Sequence, residues 1–129
     1  MVNKVTLIGN LGRDPELFQT QSGRAVARLS IATNEVWMKD GERQRRTEWH
    51  RVVVWGPRAE RTAQLRKGTP VYVEGRLRTR TFTNADNVEQ MRTEIHSLRL
   101  MPLRSRTQRE AAHAAPEGEG FRDGDEIPF

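Results

Sequence analysis

Apolar and polar residues alternate in five separate segments of the chain, and this period of two is typical of β-strands with one buried face. In the first segment Val5, Leu7 and Leu11 share one side. Gly9 lies between them and indicates a bulge or a close approach of another strand. The same alternation recurs at about residues 25–33, 47–55, 70–82 and 93–101. The sequence therefore predicts five strands.

The segments between these strands carry turn signals and one convincing helix. Asp14-Pro15-Glu16 predicts a turn, and residues 39–43 predict the polar tip of a long hairpin. Residues 57–67 predict a helix that has Pro57 in its first turn and Gly68 as its C-cap. Three strands, a helix and two further strands are the order of the five-stranded OB-fold barrel, so the expected fold class is all-β.

The alternation stops after Pro102, where the composition also changes. Residues 103–120 are rich in Arg, Ala, Gly and Glu and hold few large apolar groups, so their burial would not offset the entropy of ordering. We therefore expect an OB-fold domain over residues 1–102, a flexible linker over residues 103–120 and a separate tip over residues 121–129, the last two forming a disordered tail.

Length and composition exclude several classes of protein. At 129 residues the chain can bury one barrel-sized core but not two. No apolar run approaches the ~20 residues that cross a bilayer. The strand pattern begins directly after the first residues, so we expect no signal peptide. The absence of cysteine excludes disulfides, thiolate nucleophiles and Cys-type zinc sites. We expect a cytoplasmic protein with no membrane association and no cofactor or metal.

The formal charge of +5 is unevenly distributed along the chain. Residues 1–115 carry 21 Lys and Arg against 12 Asp and Glu, a net charge of +9. Residues 116–129 carry one Arg against five acidic residues, a net charge of −4. A basic body favours a polyanion as its partner, and an acidic tail favours a different one, although a solvated charged surface would have the same composition.

The third predicted strand has one face suited to a barrel core and one suited to nucleic acid. Val52 and Val54 share the apolar face, whereas Trp49, Arg51 and Trp55 lie on the other. Arg51 would have no obvious partner inside a core. Indoles stack on bases and guanidinium groups neutralise phosphates, so this face indicates a nucleic-acid groove.

The fourth predicted strand repeats the pattern. Arg76, Arg78 and Arg80 alternate along one face, which ends in the ring of Phe82. Such a ladder would repel itself in water, and a nucleic-acid backbone would relieve the repulsion. A charged face is often only solvated, but two strands that both interleave Arg with aromatics favour binding. Trp37 has the parity of the core residues in the second strand, yet it lies near the hairpin tip. The sequence therefore leaves open whether Trp37 packs in the core or forms a wall of the groove.

The acidic tip ends in two large apolar residues far from any predicted core. Ile127 and Phe129 flank Pro128, which stiffens the last step and lowers the entropic cost of docking. A frayed terminus that aids solubility is the alternative. The pattern favours capture of the chain terminus by a partner protein. The residues of this predicted interaction site are Asp123, Asp125, Glu126, Ile127, Pro128 and Phe129.

Several segments, taken in order, resemble the bacterial single-stranded DNA-binding protein family. The resemblance covers Asn3 through Met101 and again the acidic Ile-Pro-Phe tip. The matching segments are Asn3-Lys4-Val5, Gly9-Asn10-Leu11-Gly12, Asp14-Pro15-Glu16, Thr47-Glu48-Trp49-His50-Arg51-Val52-Val53, Leu65-Arg66-Lys67-Gly68 and Val73-Glu74-Gly75-Arg76-Leu77-Arg78-Thr79-Arg80. Each match is weak alone, but together and in this order they are highly specific.

The resemblance implies sequence-independent binding and protection of single-stranded DNA in replication, recombination and repair, within the nucleoid. It implies a homotetramer with His50 near a subunit contact, and recruitment of partner enzymes by the tip. The residues with implied roles are Trp37, Trp49, Trp55 and Phe82 in base stacking and Arg78 and Arg80 in backbone contacts. The linker departs from the family pattern because it is short and lacks the long Gly-, Pro- and Gln-rich segment.

Two other classes of function stay open. Glu48, His50, Glu94 and His96 can be imagined as a metal cluster or an acid–base pair. The lack of a third ligand set, a Gly-rich phosphate loop and a nucleophile motif argues against an enzyme. An OB-fold adaptor that binds proteins first and DNA weakly is the other class. The residues alone do not separate DNA from RNA, since no motif plainly reads a 2′-hydroxyl.

Overall fold

Six strands and one short helix form within residues 1–104, the part of the chain that the structure, a computed structural model, describes. The elements are β1 (Val5–Leu11), β2 (Glu16–Gln19), β3 (Ala25–Lys39), β4 (Glu42–Trp55), α1 (Pro57–Thr62), β5 (Pro70–Thr83) and β6 (Glu89–Pro102). All five predicted strands form, and the helix lies between the third and fourth of them. The predicted all-β OB-fold barrel is confirmed.

The barrel closes because its first strand has partners on both sides. The strands pair in the order β1-β5-β6-β4-β3-β2, and β1 also pairs with β3, where Leu11 lies opposite Ile31. A Cβ atom on Gly9 would lie 2.4 Å from the carbonyl oxygen of Ala32, so the crossing of β1 and β3 requires glycine. Across the barrel, β4 and β6 run parallel to each other.

Branched aliphatic side chains fill the barrel. Ile31, Val52 and Val71 are completely buried, and Val54 is nearly so. Val52 and Val54 belong to the core, as the alternation in β4 predicts. Burying one such side chain contributes about 1.5–3 kcal/mol. The inward side chains of β4 and β5 therefore stabilise the fold, and only the outward faces of these strands are available for binding.

Strand β2 is an addition that the alternation does not reveal. The chain passes the predicted turn at Asp14-Pro15-Glu16 and enters a four-residue strand at once. This strand pairs with the start of β3 at the edge of the sheet, and only Phe18 in it is partly buried. Its order therefore comes from hydrogen bonds to the next strand of a short hairpin and not from its own pattern.

The helix is shorter than predicted, and Gly68 is not its C-cap. α1 ends at Thr62, and Ala63 is its C-cap. Lys67 N–H donates to Asp14 Oδ1 at 2.7 Å, and Gly68 N–H donates to a β1 carbonyl at 2.8 Å. These bonds draw the chain away from the helix and tie it to the loop before β2. Within residues 1–104 no helix has the length and apolar character needed to cross a membrane.

Candidate nucleic-acid interface

The outward face of β4 presents the aromatic and basic side chains that the alternation predicts. Trp49 is 59% exposed, Arg51 is exposed and Trp55 is half-buried. Val53 lies between them on the same side and is buried, with Arg28 of β3 opposite it. Val53 therefore forms an apolar floor between exposed rings and guanidinium groups.

A polar groove runs over this floor between β3, β4 and β6. Its polar lining residues are Arg13, Glu16, Arg28, Ser30, Arg51, Arg92 and Glu94. Four of them are arginines, which makes the groove electropositive. Of these four only Arg51 was predicted. Arg28 could have been found, because it alternates with core residues of β3. Arg13 lies in a loop and Arg92 precedes the predicted fifth strand, so neither had a pattern to mark it.

The arginine ladder of β5 meets an acidic residue on β6. Arg76, Arg78 and Arg80 are all exposed on the outward face. Arg80 donates from Nε and Nη2 to the two oxygens of Glu94, each at 3.2 Å. Glu94 is only 5% exposed. The predicted mutual repulsion of three free arginines is therefore wrong for Arg80, which is paired.

Glu94 remains ionised in this position. Burial raises the pKa of its carboxyl group, but the hydrogen bonds and the positive charge of Arg80, together with a smaller contribution from His96, leave the pKa below its ordinary value. Because Glu94 also lines the groove over Val53, it joins the ladder of β5 to the aromatic face of β4. The two predicted patches are one surface.

Phe82 closes the ladder as part of a cluster. Its ring is half-buried, and the guanidinium carbons of Arg92 and Arg80 lie 4.6 Å and 5.5 Å from the ring centre. Both distances are within cation–π range. A base that arrives here would meet guanidinium planes as well as the phenyl ring, and both are stacking partners for bases.

Trp55 is held by two residues, His96 and Arg24, that were not predicted to contact it. Its Nε1 atom donates to Nδ1 of His96 at 3.2 Å, and the two rings stack with centroids 6.2 Å apart and an interplanar angle of 26°. The guanidinium of Arg24 lies 5.1 Å from the centre of the indole. Trp55 is therefore an oriented ring at the end of β4.

The two remaining tryptophans differ in their placement. The ring of Trp49 lies against Gly12, where a Cβ atom would come within 2.3 Å of it. Trp37 is opposite Gln44 in the β3–β4 ladder, on the other face of that hairpin from Trp49, and is 43% exposed. The structure thus brings Trp49, Trp55, Arg51 and the β5 ladder together and leaves Trp37 outside this surface and outside the core.

Residues 2–103 match the Single-strand binding protein family, and they include every residue of the surface just described. The chain belongs to this family. The resemblance inferred from the segments between Asn3 and Met101 is confirmed, and that of the C-terminal tip stays a prediction.

Two solved structures of single-strand binding proteins are similar to this chain. A Plasmodium falciparum SSB in complex with ssDNA is 35% identical with a TM-score of 0.71, and the match covers 80% of this chain and 96% of that one. A deletion mutant of the single-stranded DNA binding protein from Thermus aquaticus is 28% identical with a TM-score of 0.72, and the match covers 83% of this chain and 53% of that one.

His50 lies on the opposite side of β4 from Trp49 and Arg51. Its Nε2 atom is 2.9 Å from Thr33 Oγ1. Burial lowers the pKa of His50, and the nearby charge of Glu48 opposes this shift. No group of three or more His, Asp or Glu side chains within residues 1–104 is placed to hold a metal ion. The predicted interaction tip, Asp123 to Phe129, lies outside the described residues.

Proposed function

We propose that this member of the single-strand binding protein family binds and protects single-stranded DNA without regard to base sequence. The observation that carries the proposal is the single outward surface of β4, β5 and β6, on which Trp49, Trp55 and Phe82 are interleaved with arginines. Every base has a π-face and every nucleotide a phosphate. Stacking combined with cationic contacts therefore recognises any sequence.

Exposed rings on this surface favour single strands over duplexes. In a duplex the base faces are covered by their neighbours, so Trp49 could stack only on bases that are already unstacked. Arg51, Arg76 and Arg78 supply phosphate contacts, and Arg80 shares its charge with Glu94. The similar Plasmodium falciparum SSB was solved in complex with ssDNA, which supports DNA over RNA.

We propose that the protein acts as a homotetramer. β1 pairs with β5 along one edge and with β3 only at Asn10 and Leu11. The other edge of β1, from Val5 to Ile8, carries no strand among the described residues. Free strand edges favour association with a further strand, here that of a second copy. Sedimentation equilibrium at micromolar concentration tests this proposal, and a clean monomer would contradict it.

We assign DNA binding to residues 1–102, connection to residues 103–120 and recruitment of replication, recombination and repair enzymes to residues 121–129. Support for the recruiting role comes from the acids and the terminal aromatic residue of the tip. The full chain and a variant lacking only Phe129 would serve as baits in a bacterial lysate. Equal recovery of such enzymes by both baits would exclude this role.

Titration of the full chain with dT oligonucleotides tests the central proposal. Stacking on Trp49 and Trp55 should quench tryptophan emission, and the affinity should vary little between dT, dC and dA. Binding that leaves the emission unchanged would rule out stacking. A chain that captures partner enzymes but binds DNA only weakly at low salt would instead be an adaptor. A nuclease assay with magnesium should leave the DNA intact, because the proposed role is binding and not catalysis.

A further inference from the structure

Trp55 and His96 come together across the parallel contact of β4 and β6. The indole Nε1–H donates to His96 Nδ1 at 3.2 Å while the rings stack. The side chain of His96 is 16% exposed, so it contributes little surface of its own to the groove. An indole has a single donor and no acceptor. The hydrogen-bonding capacity of Trp55 is therefore used completely within the protein.

The hydrogen bond defines the form of His96 that can make it. Nδ1 must be unprotonated to accept from the indole, so the neutral ring carries its proton on Nε2. Nε2 is buried and makes no hydrogen bond within residues 1–104, but it lies 3.4 Å from Glu94 Oε1, a carboxylate that Arg80 holds with two bonds. A chain of polar contacts thus runs from Arg80 through Glu94 and His96 to Trp55.

The backbone on the other side of His96 is equally constrained. A Cβ atom on Gly75 would lie 2.3 Å from the carbonyl oxygen of His96, so β5 approaches this residue closely. Arg58 of α1 donates to the carbonyl oxygen of Ser97 at 3.3 Å, directly after His96. The backbone at His96 is therefore fixed by β5 and α1, while its imidazole lies between the indole of Trp55 and the carboxylate of Glu94.

We infer that His96 is a positioning residue that fixes the indole of Trp55 as a stacking platform and keeps its N–H from the bases. This inference rests on the proposed binding of single-stranded DNA. With the N–H occupied, Trp55 offers DNA only its ring, which every base can stack on. Without His96 the indole gains rotational freedom and a free donor, and a free donor distinguishes bases by where their acceptor atoms lie.

Substitutions that separate shape from hydrogen bonding test the role of His96 in the full chain. His96→Leu removes the acceptor, whereas His96→Asn keeps an acceptor close to the position of Nδ1. We expect His96→Leu to bind dT oligonucleotides roughly three- to tenfold more weakly, the size expected for releasing one side chain, and to widen the differences between dT, dC and dA. His96→Asn should restore most of the affinity. Anisotropy of labelled oligonucleotides measures both.

A double-mutant cycle with Trp55→Phe shows whether His96 acts through the indole N–H. Phenylalanine keeps a ring but has no donor, so His96→Leu should have little further effect in that background. The indole ¹H–¹⁵N resonance of Trp55 should shift in His96→Leu and return toward its original position in His96→Asn. The slope of log K against log salt should stay unchanged in His96→Leu, because no phosphate contact is lost.

Three results would overturn the inference. They are unchanged dT affinity of a folded His96→Leu variant, an equal effect of His96→Leu in the Trp55→Phe background, and a shallower salt slope, which would make His96 a direct phosphate contact. The proposed function would be refuted by a different result, namely that the unsubstituted chain itself does not bind dT.

Discussion

Arg80 and Glu94 form a two-bond ion pair between β5 and β6, in the middle of a surface that is otherwise dominated by arginines. The carboxylate removes one positive charge from the proposed DNA path. In return it holds the guanidinium in a fixed place beside Phe82. Glu94 therefore lowers the affinity of this surface for a polyanion, but it also keeps the surface ordered.

Glu94→Gln should strengthen DNA binding at low salt and weaken the fold. The neutral amide frees Arg80 for a phosphate, so the slope of log K against log salt should become steeper by about 0.7. The free energy of unfolding should fall by about 1–2 kcal/mol, a modest value because Arg80 is 42% exposed and solvent screens the pair. As a control, Glu60→Gln on α1 makes the same change in net charge outside the proposed DNA-binding surface. An identical salt slope in the two variants would contradict the prediction.

Glu94 also links stability to pH. Its pKa is lowered in the folded protein, so the unfolded chain binds the proton more readily, and the stabilisation is present above the ordinary value of 4.5. It should be lost as the pH falls through the lowered pKa. Urea unfolding at a series of pH values should show a steeper acid loss in the unsubstituted chain than in Glu94→Gln. Parallel curves would show that the carboxyl does not contribute.

The sequence predicts the strands of this fold well because alternation is a local property. Val52 and Val54 lie in the core and Trp49 and Arg51 lie outside it, as the period of two requires. β2 escapes such a prediction because its four residues owe their order to pairing with β3. The helix end escapes it for a similar reason, since Asp14 competes for the backbone of Lys67 from far along the chain.

The site is predictable strand by strand but not in its assembly. Trp55 and His96 are 41 residues apart and meet only through the parallel contact of β4 and β6. The register of β5 and β6 also shifts between Glu74 and Gly75, which leaves Leu98 without a partner and changes the alternation within β6. No local pattern in the sequence indicates this change of register. In the sequence, Glu94 and His96 therefore stood out only as members of an imagined metal cluster or acid–base pair.

Arg78→Ala and Arg80→Ala should have different effects, because Arg80 is paired with Glu94 whereas Arg78 makes no ion pair within residues 1–104. Arg78 is exposed, and its removal should make the salt slope shallower by about 0.7 while changing the free energy of unfolding by less than about 0.5 kcal/mol. Removal of Arg80 leaves the buried carboxylate of Glu94 without its main partner, so unfolding should become easier by about 1–3 kcal/mol. Chemical denaturation and salt-dependent titration measure the two effects. Equal stability of both variants would show that the ion pair does not contribute to the free energy of unfolding.

His50 should make the fold less stable in mild acid. Burial lowers its pKa from the ordinary 6.5, so the unfolded chain takes up the proton first. Stability should therefore fall as the pH drops from about 6.5 toward the lowered pKa. His50→Gln keeps a group that can bond to Thr33 but cannot titrate in this range, and it should remove that part of the pH dependence. The prediction is wrong if both proteins lose stability equally between pH 7 and 5.

The separate placement of Trp37 predicts that its contribution depends on DNA length. Trp49→Ala and Trp55→Ala should each cost about 1–3 kcal/mol in binding even a short dT oligonucleotide of about 8 residues, because both rings lie on the surface of one barrel. Trp37 lies on the other face of the β3–β4 hairpin, so Trp37→Ala should leave short-oligonucleotide binding nearly unchanged. A strand several times longer can pass around the hairpin or reach a second subunit, and there Trp37→Ala should weaken binding.

The three variants remove the same ring, which controls for loss of an indole as such. Equal losses for Trp37→Ala and Trp49→Ala on the short oligonucleotide would mean that both rings contact one short strand, against the observed register. No loss on the long strand would remove Trp37 from the DNA path.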